Sequence, residues 1–315
     1  MFHFLLNPYR GPTKANYQHC CVVFGEGLKA LKIPFSANID YFPDASGNYL
    51  FSAGESSPGA YIVTSAPEDF ANELKTKKRI IIFDAKDEWV RSKSTHFLPI
   101  SYRYFITTCV NTTNVMRPLC FAVSTRMLRA KAEPPAPWSK RRPEIAWTHR
   151  VDNHYLRNFA KSFYDKSDIP YDTYIDNFTE PTKEAYHDWC HTGRRHSPAY
   201  FEFLRQHRYL DAHGGYPTQS KNRIVQWDSW KVWEGFLSGM LVITADLDYY
   251  NIELPFKLVP FRHYIPVRYH EIEKCYKDLF SLPDAEQEAI AIAGRDFVLT
   301  HFTPDSMAKY ITNSL

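Results

Sequence analysis

The sequence predicts an α/β protein made of two parallel-sheet halves, and three observations carry that expectation. Short apolar runs bounded by turn formers alternate with polar stretches of helical composition, the order that gives parallel sheets covered by helices. A proline-dense segment, Ala132-Glu133-Pro134-Pro135-Ala136-Pro137-Trp138, then interrupts the pattern. After it, the alternation starts again. The length of 315 residues fits this reading, because domains run to roughly 100 to 200 residues each.

Taken in order, Phe2 to Leu6 reads as a buried strand closed by the turn formers of Asn7 to Pro12. From Asn16 the apolar positions Tyr17, Cys21, Phe24, Leu28 and Leu31 recur at helical steps, which makes Cys20 and Cys21 core thiols. Strands are expected at Ala60 to Thr64, Arg79 to Asp84, Tyr102 to Val110 and Leu119 to Val123, with helical composition between, as at Glu68 to Lys77. Beyond the proline segment come a strand at Glu144 to Thr148, a helix from about Asn153 to Asp165, and a helix opened by Ser197-Pro198. A strand at Tyr209 to Ala212, a helix at Ser229 to Leu237, and strands at Met240 to Ala245 and Tyr264 to Val267 follow. Two helices close the chain. One opens at Asp284 with Gln287 three residues on, a capping-box spacing, and the other opens at Thr303-Pro304.

Composition excludes several classes. An apolar share of 44% with 23% charged residues describes a globular chain rather than a disordered one. No apolar run approaches the about 20 residues that span a bilayer, and the opening apolar run is too short for a signal-peptide core. A cytoplasmic location is the expectation. The six cysteines show no CxxC pair and are read as reduced. A net charge of +3 does not advertise nucleic acid; only Lys140-Arg141-Arg142 favours such a partner, and none is expected.

Chemistry is sought in the loops after strands, where open α/β sheets bind ligands. One segment stands out: Gln226-Trp227-Asp228-Ser229-Trp230-Lys231-Val232-Trp233-Glu234-Gly235-Phe236-Leu237-Ser238-Gly239, leading into a Val-Ile strand. The amides opening its helix, with Ser229 and the Lys231 cation, form an anion site. Glu234, one turn on, can take the hydroxyls of a ribose, and Asp228 lies at the same opening. The plainer reading is a surface helix whose tryptophans pack the core while Lys231 and Glu234 face water.

Ser-x-Lys-x-x-Glu followed by Gly and a Val-Ile strand resembles the nucleotide-binding half of GT-B glycosyltransferases, particularly exostosin-like enzymes. Leu258-Val259-Pro260-Phe261-Arg262-His263-Tyr264-Ile265-Pro266-Val267 is similar to a segment of the protein O-glucosyltransferase and capsule-associated families, and Tyr209-Leu210-Asp211-Ala212-His213-Gly214 resembles the strand and glycine turn before their sugar-nucleotide site. The resemblance spans about residues 190 to 270. It implies a GT-B fold of two Rossmann-like domains facing a cleft. Residues 1–137 would form the acceptor domain and 138–290 the nucleotide-sugar domain, with the helices of 291–315 packing back on the first.

The implied activity is transfer of a hexosyl or pentosyl group from a nucleotide sugar to a hydroxyl of a glycan or other acceptor. The donor is a substrate, and no cofactor or metal is expected. Arg150 and Arg194 would join Asp228, Ser229, Lys231 and Glu234 around the donor, and Arg10 and Lys14 would line the acceptor side. Lys231 stands where Arg is commoner, giving up the bidentate fork. Gln226 stands where many retaining enzymes carry a carboxylate, which favours inversion. The base would be Asp84, at the end of a strand, or Asp87; Asp84 could equally cap the next helix. Two rivals remain: a metal-dependent GT-A-like enzyme using Asp246 and Asp248 of a DxD triplet, and a non-catalytic glycan-binding module with tryptophan platforms.

Overall fold

The computed structural model describes residues 1–7, 18–43, 46–54, 59–64, 70–85, 102–107, 109, 111–130, 135–149, 155–174, 198–213 and 227–315. The chain divides into two compact units. One takes its described residues from Met1–Arg126 and Phe302–Leu315, the other from Met127–Asn177 and Arg195–His301.

The first unit is a six-stranded parallel sheet ordered β2-β1-β5-β6-β7-β8. Its strands are β1 (Phe2–Leu5), β2 (Phe35–Ala37), β5 (Ala60–Thr64), β6 (Ile80–Asp84), β7 (Arg103–Ile106) and β8 (Met116–Pro118). An antiparallel pair, β3 (Tyr41–Pro43) with β4 (Tyr49–Phe51), sits beside it. The apolar run 80–83 of β6, closed by Asp84, follows from its central place, since a strand covered on both faces has no solvent side to alternate with. Helix α1 (His19–Ala30) buries Cys20 and Cys21, as the stripe predicts, and α2 (Ala71–Leu74) falls within the helical stretch before β6.

The expected strand at Leu119 to Val123 is a correction: the strand is β8, and 119–123 is buried irregular chain. The apolar run marks burial there rather than pairing. Helix α9 (Pro304–Asn313) packs on α1, so closely that a Cβ on Gly27 would lie 2.0 Å from the Pro304 carbonyl oxygen.

The second unit carries a five-stranded parallel sheet ordered β10-β9-β11-β12-β13. These are β9 (Arg142–Trp147), β10 (Tyr171–Thr173), β11 (His207–Asp211), β12 (Leu241–Ala245) and β13 (Ile265–Val267). A short 3-10 turn at Trp138–Lys140 leads into β9, after the single-turn-and-a-half α3 (Thr125–Ala130) that joins the units in sequence. Helices α4 (Tyr155–Lys166) and α7 (Ile272–Ser281) cover one face, where Trp147, Tyr164, Ile243 and Tyr276 share a core; α5 (Pro198–Arg205) covers the other with Tyr200, Phe201 and Leu204. Helix α6 (Trp230–Leu237) approaches the sheet through Gly235, where a Cβ would lie 2.6 Å from Leu210 Cδ2. Gly239, at φ +68°, then turns the chain into β12.

Helix α8 (Asp284–His301) starts where expected, but its capping box does not form. Gln287 instead accepts the Tyr209 hydroxyl at 2.6 Å and donates to the Leu282 carbonyl. A buried phenol without a partner costs more than a weak helix cap. Among the described residues no helix is long and apolar enough to cross a membrane, and Cys20, Cys21, Cys109, Cys120 and Cys275 form no disulfide.

Candidate active site

In the second sheet the strand order reverses between β9 and β11, because β10 returns on the outer side of β9 while β11 continues the other way. The carboxyl ends of strands flanking such a reversal are where open α/β sheets leave room for a ligand. His149 follows β9 at this point, Asp211 ends β11, and His213 comes two residues later. All three are buried.

Asp211 is the centre of the group. One oxygen lies 3.3 Å from His149 Nε2 and 3.3 Å from His213 Nε2, and takes the His213 backbone N–H at 3.1 Å. The other accepts the Tyr164 hydroxyl at 2.6 Å, with the Tyr276 hydroxyl 3.4 Å away. Burial alone would push this carboxyl up, but the neighbouring His213 and His149 rings and the hydrogen bond from Tyr164 outweigh it and hold it below the ordinary carboxylate range. The two tyrosines, bonded to each other and driven up by burial and by Asp211, stay protonated.

The proton positions then follow. Lys231 Nζ, from α6, stands 2.6 Å from His149 Nδ1. Burial, and next the Lys231 ammonium, push the His149 pKa well down despite Asp211. The ring accepts from Lys231 at Nδ1, and its Nε2 lies 3.3 Å from the nearer Asp211 oxygen without forming a hydrogen bond among the described residues. His213 is likewise pushed down, mainly by burial. With its Nε2 facing Asp211 and the Tyr276 hydroxyl at 3.2 Å, its buried Nδ1 has no hydrogen-bond partner among the described residues.

The α6 segment is more than a solvated helix. Ser229 caps it in extended conformation with no side-chain cap bond, and its Oγ, also buried, has no hydrogen-bond partner among the described residues. Asp228 accepts the Trp233 indole N–H at 2.7 Å, which anchors the turn before the helix. Glu234 is 2% exposed and accepts the Tyr200 hydroxyl at 3.0 Å. The arrangement thus offers a lysine and an uncapped helix end for an anion, with unspent acceptors at Ser229 and His213.

Asp84 sits at the end of β6 as expected, but is buried and bonded by the Tyr104 hydroxyl. Arg10, Lys14, Asp87, Arg150, Arg194 and Gln226 lie outside the described residues. The DxD carboxylates are separately engaged. Asp246 takes the Tyr249 N–H at 3.0 Å and Arg268 Nε at 2.9 Å, and Asp248 pairs with Lys257 at 3.2 Å. This is turn capping with flanking ion pairs. Sequence reasoning missed the roles of His149, Asp211 and His213; the signal was present as polar residues at two strand ends, but the strand order that joins them was not.

No family model matches the chain, and no curated protein matches it significantly. Among solved structures it is similar to an alpha-glucosyltransferase in complex with UDP and a 13-mer DNA containing an HMU base, with TM-score 0.59 and 9% identity over 99% of this chain and 98% of that one. The same enzyme type with UDP and DNA containing a central A:G mismatch gives 0.58 at 10% identity, over 99% and 98%. A glycosyltransferase from Rickettsia africae ESF-5 gives 0.50 at 9%, over 99% and 97%. The fold is therefore that of GT-B glycosyltransferases, as the sequence predicts.

The exclusion of nucleic acid as a partner is overturned, since the two alpha-glucosyltransferase structures were solved with DNA as well as UDP. A balanced net charge averages over the whole surface and does not report on any one face of it. The basic triplet is not the source of the correction: Arg141 is spent on the Ala136 and Gly239 carbonyls, and Arg142 on Asp172 and Gln206.

Proposed function

We propose that the chain is a glycosyltransferase that moves a sugar from a nucleoside diphosphate donor to an acceptor hydroxyl, with the donor held at the carboxyl edge of the second sheet. The observation that carries this reading is Lys231, hydrogen-bonded to His149 beside the ionised Asp211 at the strand-order reversal. On donor binding, the Lys231 ammonium and the uncapped end of α6 would stabilise the charge that gathers on the departing diphosphate, a preorganised electrostatic contribution. The exostosin-like spacing Ser229-x-Lys231-x-x-Glu234 supports the same assignment, with Glu234 for the ribose. Uridine is the base supported by the neighbours, and a hydroxyl carried on a DNA base is the acceptor class they support over a glycan.

The test is a transfer assay with labelled UDP-glucose and three acceptors: duplex DNA containing hydroxymethylated pyrimidines, the same duplex unmodified, and an oligosaccharide. Incorporation into the modified duplex alone supports the reading. Incorporation into the oligosaccharide alone returns the acceptor to a glycan, and UDP-glucose neither bound nor consumed removes the function. Inversion, read from Gln226, is decided by the anomeric configuration of the product in an NMR spectrum, where a retained α linkage would refute it.

A further inference from the structure

Three side chains that the proposed function does not use meet on neighbouring strands at the amino side of the second sheet. Glu144 lies in β9, Asp172 in β10 and His207 at the start of β11, with one ligand atom from each within 4.8 Å of the others. Asp211 ends the same strand, about 13 Å further on at 3.3 Å per residue, so this group is separate from the candidate active site.

The His207 ring is fully buried and its orientation is fixed. Nδ1 lies 2.7 Å from the Phe203 carbonyl oxygen, which can only accept, so Nδ1 carries a proton. Nε2 is then turned on two carboxylates, 3.2 Å from Asp172 Oδ2 and 3.7 Å from Glu144 Oε2. A cation placed between the three side chains would meet the Nε2 lone pair and both carboxylates at once. The spacing suits an ion. Donors about 2.1 Å from a tetrahedral zinc stand about 3.4 Å apart, and the two measured separations fall on either side of that value.

The surroundings are those of a metal centre as well. An imidazole whose far nitrogen is tied to a backbone carbonyl is the usual outer support of a histidine ligand. Arg142 Nη1 donates to Asp172 Oδ2 at 2.7 Å and lies 3.6 Å from Glu144, while Nη2 is held by Gln206 at 2.9 Å. One guanidinium against two carboxylates leaves a net negative charge. Glu144 and Asp172 are 31% and 36% exposed, which gives an ion a path in and room for water on its open positions.

We infer that Glu144, Asp172 and His207 form a binding site for a divalent transition-metal ion, zinc being the best match to one imidazole and two carboxylates. The ion would tie the edge strand β10 to β9 and β11 and has no part in sugar transfer.

The experiment is a calorimetric titration of Zn2+ into the full chain after dialysis against EDTA, paired with thermal unfolding with and without the ion. The wild type is expected to bind Zn2+ and to unfold at a higher temperature with it. Asp172→Asn and Glu144→Gln, both at half-exposed positions, are expected to weaken that binding by at least about tenfold, the lower end of what losing even an outer-shell partner costs. His207→Ala should abolish it; should that variant fail to fold, the two carboxylate variants carry the test. Wild-type affinity in both carboxylate variants, or no Zn2+ binding and no thermal shift in the wild type, overturns the proposal, the latter leaving an imidazolium ion pair in its place.

Discussion

Lys231 and His149, 82 positions apart in sequence, are joined by a 2.6 Å hydrogen bond between Nζ and Nδ1. The bond holds a flexible lysine in one place ahead of any ligand, and so lowers the ordering cost that a diphosphate would otherwise meet on binding.

Replacing that lysine should therefore act on binding first. Lys231→Ala is expected to weaken UDP by roughly tenfold to a hundredfold, the range of one charge-assisted hydrogen bond at about 1.5 to 3 kcal/mol, with little loss of fold stability. Calorimetry with UDP measures this, and unchanged affinity would remove Lys231 from the donor site.

Glu234 offers a test that separates ribose from phosphate. Glu234→Ala is expected to weaken UDP by about tenfold, the scale of a lost hydrogen-bonding pair, while leaving the affinity for inorganic pyrophosphate as it was. Equal losses for both ligands would mean that the substitution disturbs the helix end through Tyr200 rather than removing a ribose contact.

The buried array makes stability depend on pH in two stages. His149 and His213 have folded pKa values below the ordinary imidazole value of 6.5, so the unfolded chain binds their protons first. Their contribution is full above about pH 6.5 and is lost as pH falls from there towards the depressed folded values. Asp211 adds a second stage, present above the ordinary aspartate value of 3.8 and lost as pH falls below it. Urea midpoints measured from pH 8 to pH 3 should show both stages, and His149→Gln should shrink the first. A flat profile between pH 7 and pH 5 would contradict the proton assignment.

Gly235→Ala puts two effects in opposition. Alanine in a helix interior is worth about 1 kcal/mol over glycine, but the added methyl would lie 2.6 Å from Leu210 Cδ2 and 2.9 Å from Val242 Cγ2. Overpacking of this kind costs typically 1 to 3 kcal/mol, so the variant is expected to melt at a lower temperature and to bind UDP more weakly as α6 moves off the sheet. A rise in melting temperature would show that α6 yields without cost.

How much of this was readable in advance depended on the range of the contacts. Buried central strands such as β6 and β12 are legible because apolar residues dominate them, with Asp84 closing one and Thr244 the single polar residue of the other, and because turns bound them. The three-residue strands β2, β3, β4 and β10 carry too few residues to show a period, and β2 and β10 pair with strands distant in sequence. Helix α7 does carry a stripe in Ile272, Tyr276 and Leu279, but Glu273, Lys274, Lys277 and Asp278 interleave with it and blur it. At the site, Ser229, Lys231 and Glu234 are legible because they share one helix. Their partners are not: Asp211 meets His149 only through the strand order, and Tyr164 and Tyr276 reach it from two helices on the same face of the sheet. The metal-ligand trio escaped for the same reason, each member coming from a different strand.

The pairing of α1 with α9 has a consequence for biosynthesis. The helix that covers Gly27 is made only after the whole second unit has been translated. As the nascent chain leaves the ribosome, the amino-terminal sheet must wait with one flank of α1 uncovered. A stop introduced just after His301 should therefore compromise the part of the protein synthesised first, visible as aggregation or rapid proteolysis of residues far upstream of the cut.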